Sequence, residues 1–128
     1  MRLLLDTCTF LWLTSGGGKL SPSAAAAIAN PSNDVLLSAV SVWEIAVKYR
    51  IGRLTLPEPP DQLISTERRL RGMAALPFDE ESALQVLKLP ALHRDPFDRM
   101  LISQAIAHGL ALVTPDPSIT QYPVRVIW

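Results

Sequence analysis

The chain has 128 residues, 48% of them hydrophobic, and twelve basic residues cancel twelve acidic ones. This length predicts one α/β-sized domain over residues 1–128, with chain enough to bury a core. No apolar run approaches the roughly 20 residues that cross a bilayer, Asp6 interrupts the first apolar run too early for a secretion signal, and the single cysteine, Cys8, excludes an internal disulfide or a thiolate metal cluster, so a cytoplasmic protein without membrane contact is expected.

The first predicted element is a strand over Leu3–Leu5, followed by a helix over Thr9–Leu13. Gly16-Gly17-Gly18 reads as a turn, because it lacks the Gly-Lys-Ser/Thr ending of a phosphate loop. Ser21-Pro22 is a cap followed by proline at the first helical position, and the helix continues through Ala24–Ala29. A strand over Val35–Leu37 precedes a helix over Val42–Arg50 that stops at Gly52. Pro57, Pro59 and Pro60 break the chain before a helix at 61–71, and another follows at Glu80–Leu87. The last long helix runs from Pro96 to His108 and ends at Gly109, a good C-cap residue. Strands over Leu110–Val113 and Val124–Trp128 close the chain. The strands are nearly all apolar instead of alternating, as in a parallel sheet covered on both faces. Their alternation with helices predicts a three-layer α/β fold with right-handed crossovers.

Acids recur after the strands. Asp6 follows the first, Glu44 follows the second after a short link, and Asp116 follows Leu110–Val113, while Asp95 and Asp98 open the last long helix. In an open parallel sheet, ligands bind outside the carboxyl ends of the strands, so these acids are placed to converge. Each also has a local explanation. Asp6 and Asp95 suit N-caps and Asp98 suits a first helical turn. Ser41 and Glu44 fit a capping box, and Asp116 between two prolines suits a turn. Caps, however, need not converge on one edge of a sheet.

Convergence would restrict the chemistry. Two carboxylates 4 Å apart repel by about 4 kcal/mol at an effective dielectric near 20, so a cluster needs raised pKa values or a divalent cation. The candidate ligands are hard oxygens with no Cys or His among them, which selects Mg²⁺, with Mn²⁺ as a substitute, over zinc. A carboxylate-bound Mg²⁺ polarises phosphoryl oxygens and activates water. Asp6 is best explained as a metal ligand.

Three stretches, LLLDTCTFLWL, SAVSVWEIAVKYRIGRL and HRDPFDRMLISQA followed by LALVTPD, resemble the PIN-domain ribonucleases, and in particular the VapC-type toxins of bacterial toxin–antitoxin pairs. The resemblance covers essentially the whole chain. It implies a PIN-like fold, a parallel β-sheet flanked by helices, and metal-dependent cleavage of RNA. By position, Asp6, Glu44 and Asp98 match the three core acids and Asp116 the more variable fourth, all four as catalytic metal ligands. Asp95 matches a subgroup feature near the site. The family pattern continues after the fourth acid with acidic or aromatic residues, where this chain has Pro117-Ser118-Ile119. The resemblance also implies a VapB-like antitoxin as partner and a homodimer.

The charge balance suits such a site. Setting aside Asp6, Glu44, Asp95, Asp98 and Asp116, twelve basic residues face seven acids, an excess of five positive charges on the rest of the molecule. A polyanion approaching a metal-filled pit would meet a basic surround. Lys48, Arg50, Arg53, Arg68, Arg69 and Arg71 are candidates for phosphate contacts, with a solvated helix face as the alternative, and Arg99 for an ion pair. Thr7, Ser38 and Thr114 could bond metal ligands or cap turns. His93 suits a structural hydrogen bond, His108 the negative end of its helix, Cys8 core packing, and Trp12, Trp43 and Trp128 core or interface. A dehalogenase-like phosphatase is disfavoured, because Cys8 stands where those enzymes repeat an acid and no late strand offers the required lysine. A receiver domain lacks its acidic pair here. The alternative from another class is a catalytically silent module of the same fold that binds antitoxin or RNA, whose signature would be a lost core acid.

Overall fold

A computed structural model describes residues 1–92 and 95–128, so His93 lies outside the described residues. The strands are β1 (Arg2–Leu5), β2 (Asp34–Ser38), β3 (Ala74–Leu76), β4 (Ala111–Val113) and β5 (Val126–Ile127). They form one sheet in the order β3-β2-β1-β4-β5, and every neighbouring pair is parallel. Around it lie α1 (Thr7–Thr14), α2 (Pro22–Ala29), α3 (Ala39–Arg50), α4 (Pro60–Arg71), α5 (Glu80–Leu84) and α6 (Pro96–His108). Short 3-10 turns occupy Gln85–Lys88 and Ile119–Gln121.

The two-residue period of a strand divides the core. Leu3 and Leu5 of β1 pack into one cluster with Phe10 and Leu13 of α1, Ala24 of α2, Ile45 of α3 and Ile64 of α4. Leu4 points the other way, onto Leu101, Ile102 and Ala105 of α6, with Leu36 and Leu112 beside it. All three leucines are fully buried, each stabilising the fold by about 1.5–3 kcal/mol through burial. This is the apolar-on-both-faces pattern of a central parallel strand.

Several boundaries differ from expectation. β3 has no counterpart in the sequence reading, because Ala74-Ala75-Leu76 is too short and too small-sided to show a period. α1 begins at Thr7 and not at Thr9, since the Asp6 carboxylate already caps it by accepting from the Thr7 N–H. α3 begins at Ala39, because the Ser38 hydroxyl at the end of β2 accepts from the Val40 N–H at 3.0 Å. The expected helix at Glu80–Leu87 tightens into a 3-10 turn after Leu84. The final strand shrinks to two residues. Among the described residues no helix is long and apolar enough to cross a membrane.

Candidate metal centre

Register carries the acids together. Leu5 pairs with Val113, so the next residues, Asp6 and Thr114, leave neighbouring strands side by side. The Asp6 N–H donates to Val113 O at 3.1 Å, and the Thr114 hydroxyl donates to Asp6 Oδ2 at 2.7 Å. Thr114 Oγ1 in turn accepts from the Asp116 N–H at 3.2 Å. On the other side, β2 ends at Ser38 and α3 carries Glu44 inward, 7% exposed. A carboxylate only accepts, so the Thr7 hydroxyl must donate to Glu44 Oε1 at 2.7 Å. Its lone pair is then left for the Ser41 hydroxyl at 2.9 Å.

Asp6, Glu44, Asp98 and Asp116 line one cleft of about 380 Å³, together with Thr7, Cys8, Lys48 and Arg53. The four acids come from four segments: the end of β1, the second turn of α3, the first turn of α6 and the loop after β4. Asp6 is both N-cap and cleft residue, so the cap does not take it out of the cleft. The capping-box reading of Glu44 fails, because α3 starts three residues too early for Ser41 to be its N-cap. For Asp95 the local reading holds. Its Oδ1 caps α6, accepting from the N–H groups of Phe97 at 2.9 Å and Asp98 at 3.3 Å, and it is not among the residues lining the cleft. Asp116 also forms the expected turn, its Oδ1 accepting from the Ser118 N–H at 2.9 Å and hydroxyl at 2.7 Å.

Electrostatics marks the cleft as a place for added positive charge. Burial pushes the Asp6 carboxyl above its ordinary value against the Thr114, Cys8 and Thr7 hydrogen bonds, and the Glu44 charge pushes it further. Lys48 pairs with Glu44 four residues before it. Its ammonium is held above its usual value first by that hydrogen bond, with Asp95 and Asp98 adding attraction. Carboxylates from α3 and α6 therefore act on one point. The donors present fit a hard divalent cation: four carboxylates, two of them buried and oriented by threonine hydroxyls, with no imidazole among the described residues of the cleft wall.

Other expectations are corrected here. Cys8 lies on the cleft and not in the core, its Sγ 3.5 Å from Asp6 Oδ2. Burial and the Asp6 charge push its thiol up to about 12, which disfavours the thiolate at neutral pH. Iodoacetamide is expected to label the folded protein at pH 8 at least about 100-fold more slowly than the denatured protein, followed by mass spectrometry. Of the six basic candidates, Lys48 and Arg53 reach the cleft and Arg50 and Arg69 are exposed. Arg68 donates to Leu37 O at 3.3 Å, and Arg71 pairs with Glu67 at 2.6 Å and donates to Leu13 O at 3.3 Å, so both are tied inward. Arg99 donates to Pro90 O at 3.3 Å and lies 3.5 Å from the Tyr122 hydroxyl. Trp12 and Trp128 pack together at 5.8 Å, whereas Trp43 is 65% exposed and outside the core.

A second group of ligand-type side chains lies elsewhere. Asp79, Glu81 and His108 bring one ligand atom each within 4.8 Å of one another. His108 and Asp98 are ten residues apart on α6, about 15 Å of helix, so this group stands at the far end from the cleft. Both Asp79 oxygens are engaged, Oδ1 capping α5 through the Ser82 N–H at 2.9 Å and Oδ2 meeting His108 Nε2 at 2.7 Å. His108 therefore has an acidic partner in addition to its helix end.

Thr7→Val tests the support of Glu44. It should weaken Mn²⁺ binding by about 10-fold, the usual cost of losing a hydrogen-bond partner of a ligand, measured as the Mn²⁺ dependence of the melting temperature.

A sheet of this topology with carboxylates from four segments at its carboxyl edge is an α/β domain of the PIN type. The PIN domain profile matches residues 3–124, and the chain belongs to that family. A stretch of 47 residues is 45% identical to Ribonuclease VapC16 of Mycobacterium tuberculosis, covering 37% of this chain and 33% of that protein. The match therefore spans about a third of that relative's length. The crystal structure of VapBC2 from Rickettsia felis bound to a DNA fragment from their promoter is similar with a TM-score of 0.73 at 16% identity, covering 98% of this chain and 97% of that one. DNA-bound VapBC from Salmonella typhimurium gives 0.69 at 16% identity, covering 98% and 96%. At such identities these two establish the shared fold.

Proposed function

We propose that this protein is a divalent-metal-dependent endoribonuclease, the toxin of a toxin–antitoxin pair, acting as a single cytoplasmic domain. The observation that carries the reading is the convergence of Asp6, Glu44, Asp98 and Asp116 on one cleft that also holds Lys48 and Arg53. Family membership and the 47-residue likeness to a ribonuclease support it.

Asp6, Glu44 and Asp98 would hold the cation, Mg²⁺ or Mn²⁺ by the hardness of the donors, and Asp116 would complete the site. Such a cation supplies charge stabilisation at the phosphate and lowers the pKa of water. The protein's own residues do the positioning. Thr114 and Thr7 fix the carboxylates of Asp6 and Glu44. Lys48 and Arg53 give the phosphate backbone cationic contacts beside the acids. Hydrolysis in line would leave a 5′-phosphate and a 3′-hydroxyl.

A VapB-like antitoxin is the proposed partner, supported by similarity to VapBC complexes over nearly the whole chain. A groove of about 430 Å³, lined among others by Leu13, Leu20, Ile28, Met73 and Arg71, offers such a partner a surface. Exposed Leu70 and Leu84 support the proposed homodimer.

The test is cleavage of total cellular RNA by purified, antitoxin-free protein in Mn²⁺, Mg²⁺ or EDTA, with Asp98→Asn prepared alongside. Discrete fragments bearing 5′-phosphates, dependent on metal and lost in the variant, are expected. Well-folded protein that cleaves nothing, or a variant that cleaves equally, would make a catalytically silent antitoxin- or RNA-binding module the better account.

A further inference from the structure

Gln104 is a fully buried amide in the largely apolar layer that joins α6 to the sheet. It is not among the residues lining the acidic cleft, yet it is bonded at both ends. The Ser38 hydroxyl donates to Gln104 Oε1, and Gln104 Nε2 donates to Pro77 O at 3.1 Å. Ser38 closes β2 and caps α3, the helix that carries Glu44. Pro77 follows β3, whose Leu76 pairs with Ser38 across the sheet. Gln104 itself sits six residues after Asp98 on α6. One side chain thus ties the helix bearing Asp98 to the cap of the helix bearing Glu44.

Apolar packing between α3 and α6 tolerates small slides, because dispersion and burial are non-directional. Two hydrogen bonds to a buried amide do not. An amide buried without partners is costly, so each bond penalises any shift of α6 against β2 and β3. A metal site demands that kind of registration, since ligands from different elements must reach one ion within tenths of an ångström.

We propose that Gln104 is a positioning residue that sets the spacing of Glu44 and Asp98 for shared cation binding. The inference rests on the nuclease reading above. Gln104→Met keeps the volume and length of the side chain and removes both bonds, while Gln104→Asn keeps the amide but is one methylene too short to serve both partners.

Wild type and both variants are titrated with Mn²⁺ by thermal shift, and RNA cleavage is measured across substrate concentration at saturating Mn²⁺. The expected result for Gln104→Met is a Mn²⁺ half-saturation raised about 10-fold or more, within the range for outer partners of metal ligands. kcat should fall with it and KM for RNA stay constant, because nothing at Gln104 touches substrate. A folded Gln104→Met with wild-type Mn²⁺ half-saturation and kcat would overturn the proposal. If Gln104→Met does not fold, Gln104→Asn decides by the same readouts, and its failure to fold as well would assign the amide to the fold and overturn the proposal. A wild-type protein that takes up Mn²⁺ but cleaves no RNA would instead count against the nuclease reading, leaving the Mn²⁺ comparison to judge Gln104.

Discussion

Asp6→Asn is expected to abolish metal-dependent cleavage and, in the absence of metal, to raise the melting temperature. The two effects share one cause. Burial raises the Asp6 pKa above the ordinary value of a carboxyl, so the folded state resists the charge that metal binding needs. A carboxyl raised in the fold contributes stability that is fully present below its unfolded pKa. That contribution is lost as the pH rises through the folded value, so ionised Asp6 destabilises the metal-free protein. Asparagine removes the charge, and its carbonyl oxygen can still cap α1 by accepting from the Thr7 N–H, which Asp6 now takes at 2.7 Å. In EDTA at pH 7 a gain of about 1 kcal/mol is expected, roughly 3–5 °C in a domain of this size. The gap should close as the pH falls toward the ordinary carboxylate range, where wild-type Asp6 is neutral too. Added Mn²⁺ should stabilise wild type by mass action and leave the variant unmoved. Cleavage should fall by at least about 100-fold, the upper end of the loss from a mere hydrogen-bonding partner of a ligand. Calorimetry in EDTA and in Mn²⁺, beside an RNA cleavage assay, reads all of this. A variant melting below wild type in EDTA would show that Asp6 stabilises the metal-free fold.

Leu4→Ala should cause a large loss of stability. Leu4 lies at the centre of the central strand, fully buried against Leu101, Ile102 and Ala105, with Leu36 and Leu112 on either side. Neighbours on three sides belong to regular elements and cannot collapse into the space. The loss should be about 3–5 kcal/mol, transfer of the missing methyls plus the cavity left behind. That is a large share of the roughly 5–15 kcal/mol that holds a domain together. The matched control is Leu87→Ala in the 3-10 turn after α5, 80% exposed, which should stay within about 0.5 kcal/mol. Urea unfolding of the two variants separates them, and a Leu4→Ala loss under about 1 kcal/mol would mean that β1 is not held as described.

Much of this was readable in the chain. Leu3–Leu5 announces a two-faced strand because every position is apolar, and the charge that ends it is conspicuous for that reason. The same logic exposes Asp116 after Leu112-Val113. Ser21-Pro22 and Gly109 mark helix ends by local backbone chemistry, and α2 and α6 begin or end there. What stayed hidden was set by partners distant in sequence. β3 exists because β2 offers it an edge, and three small residues carry no pattern of their own. Ser38 became a cap because the strand delivers it to the turn, which shifted α3 and dissolved the apparent capping box at Ser41. Asp6 reads from the sequence as either a cap or a ligand, and the structure shows that capping uses one carboxylate oxygen and still leaves the side chain on the cleft. Thr114 reads from the sequence as a partner for an acid or a turn cap, and register sets it opposite Asp6; Gln104 looks ordinary in the sequence, and its importance comes from the packing that sets it opposite Ser38.

The position of β1 has a kinetic consequence. It is synthesised first, yet one of its two edges is completed only by β4, and the bond that orients Asp6 comes from Thr114, 108 positions further along the chain. Pairings so distant form late, because the loop between them must close first. A chain emerging from the ribosome can assemble β1, β2 and the helices between them while Asp6 is still unoriented and Asp98 unplaced. The acids therefore come together only when the last strands dock, so a partly assembled chain lacks the four-acid cleft.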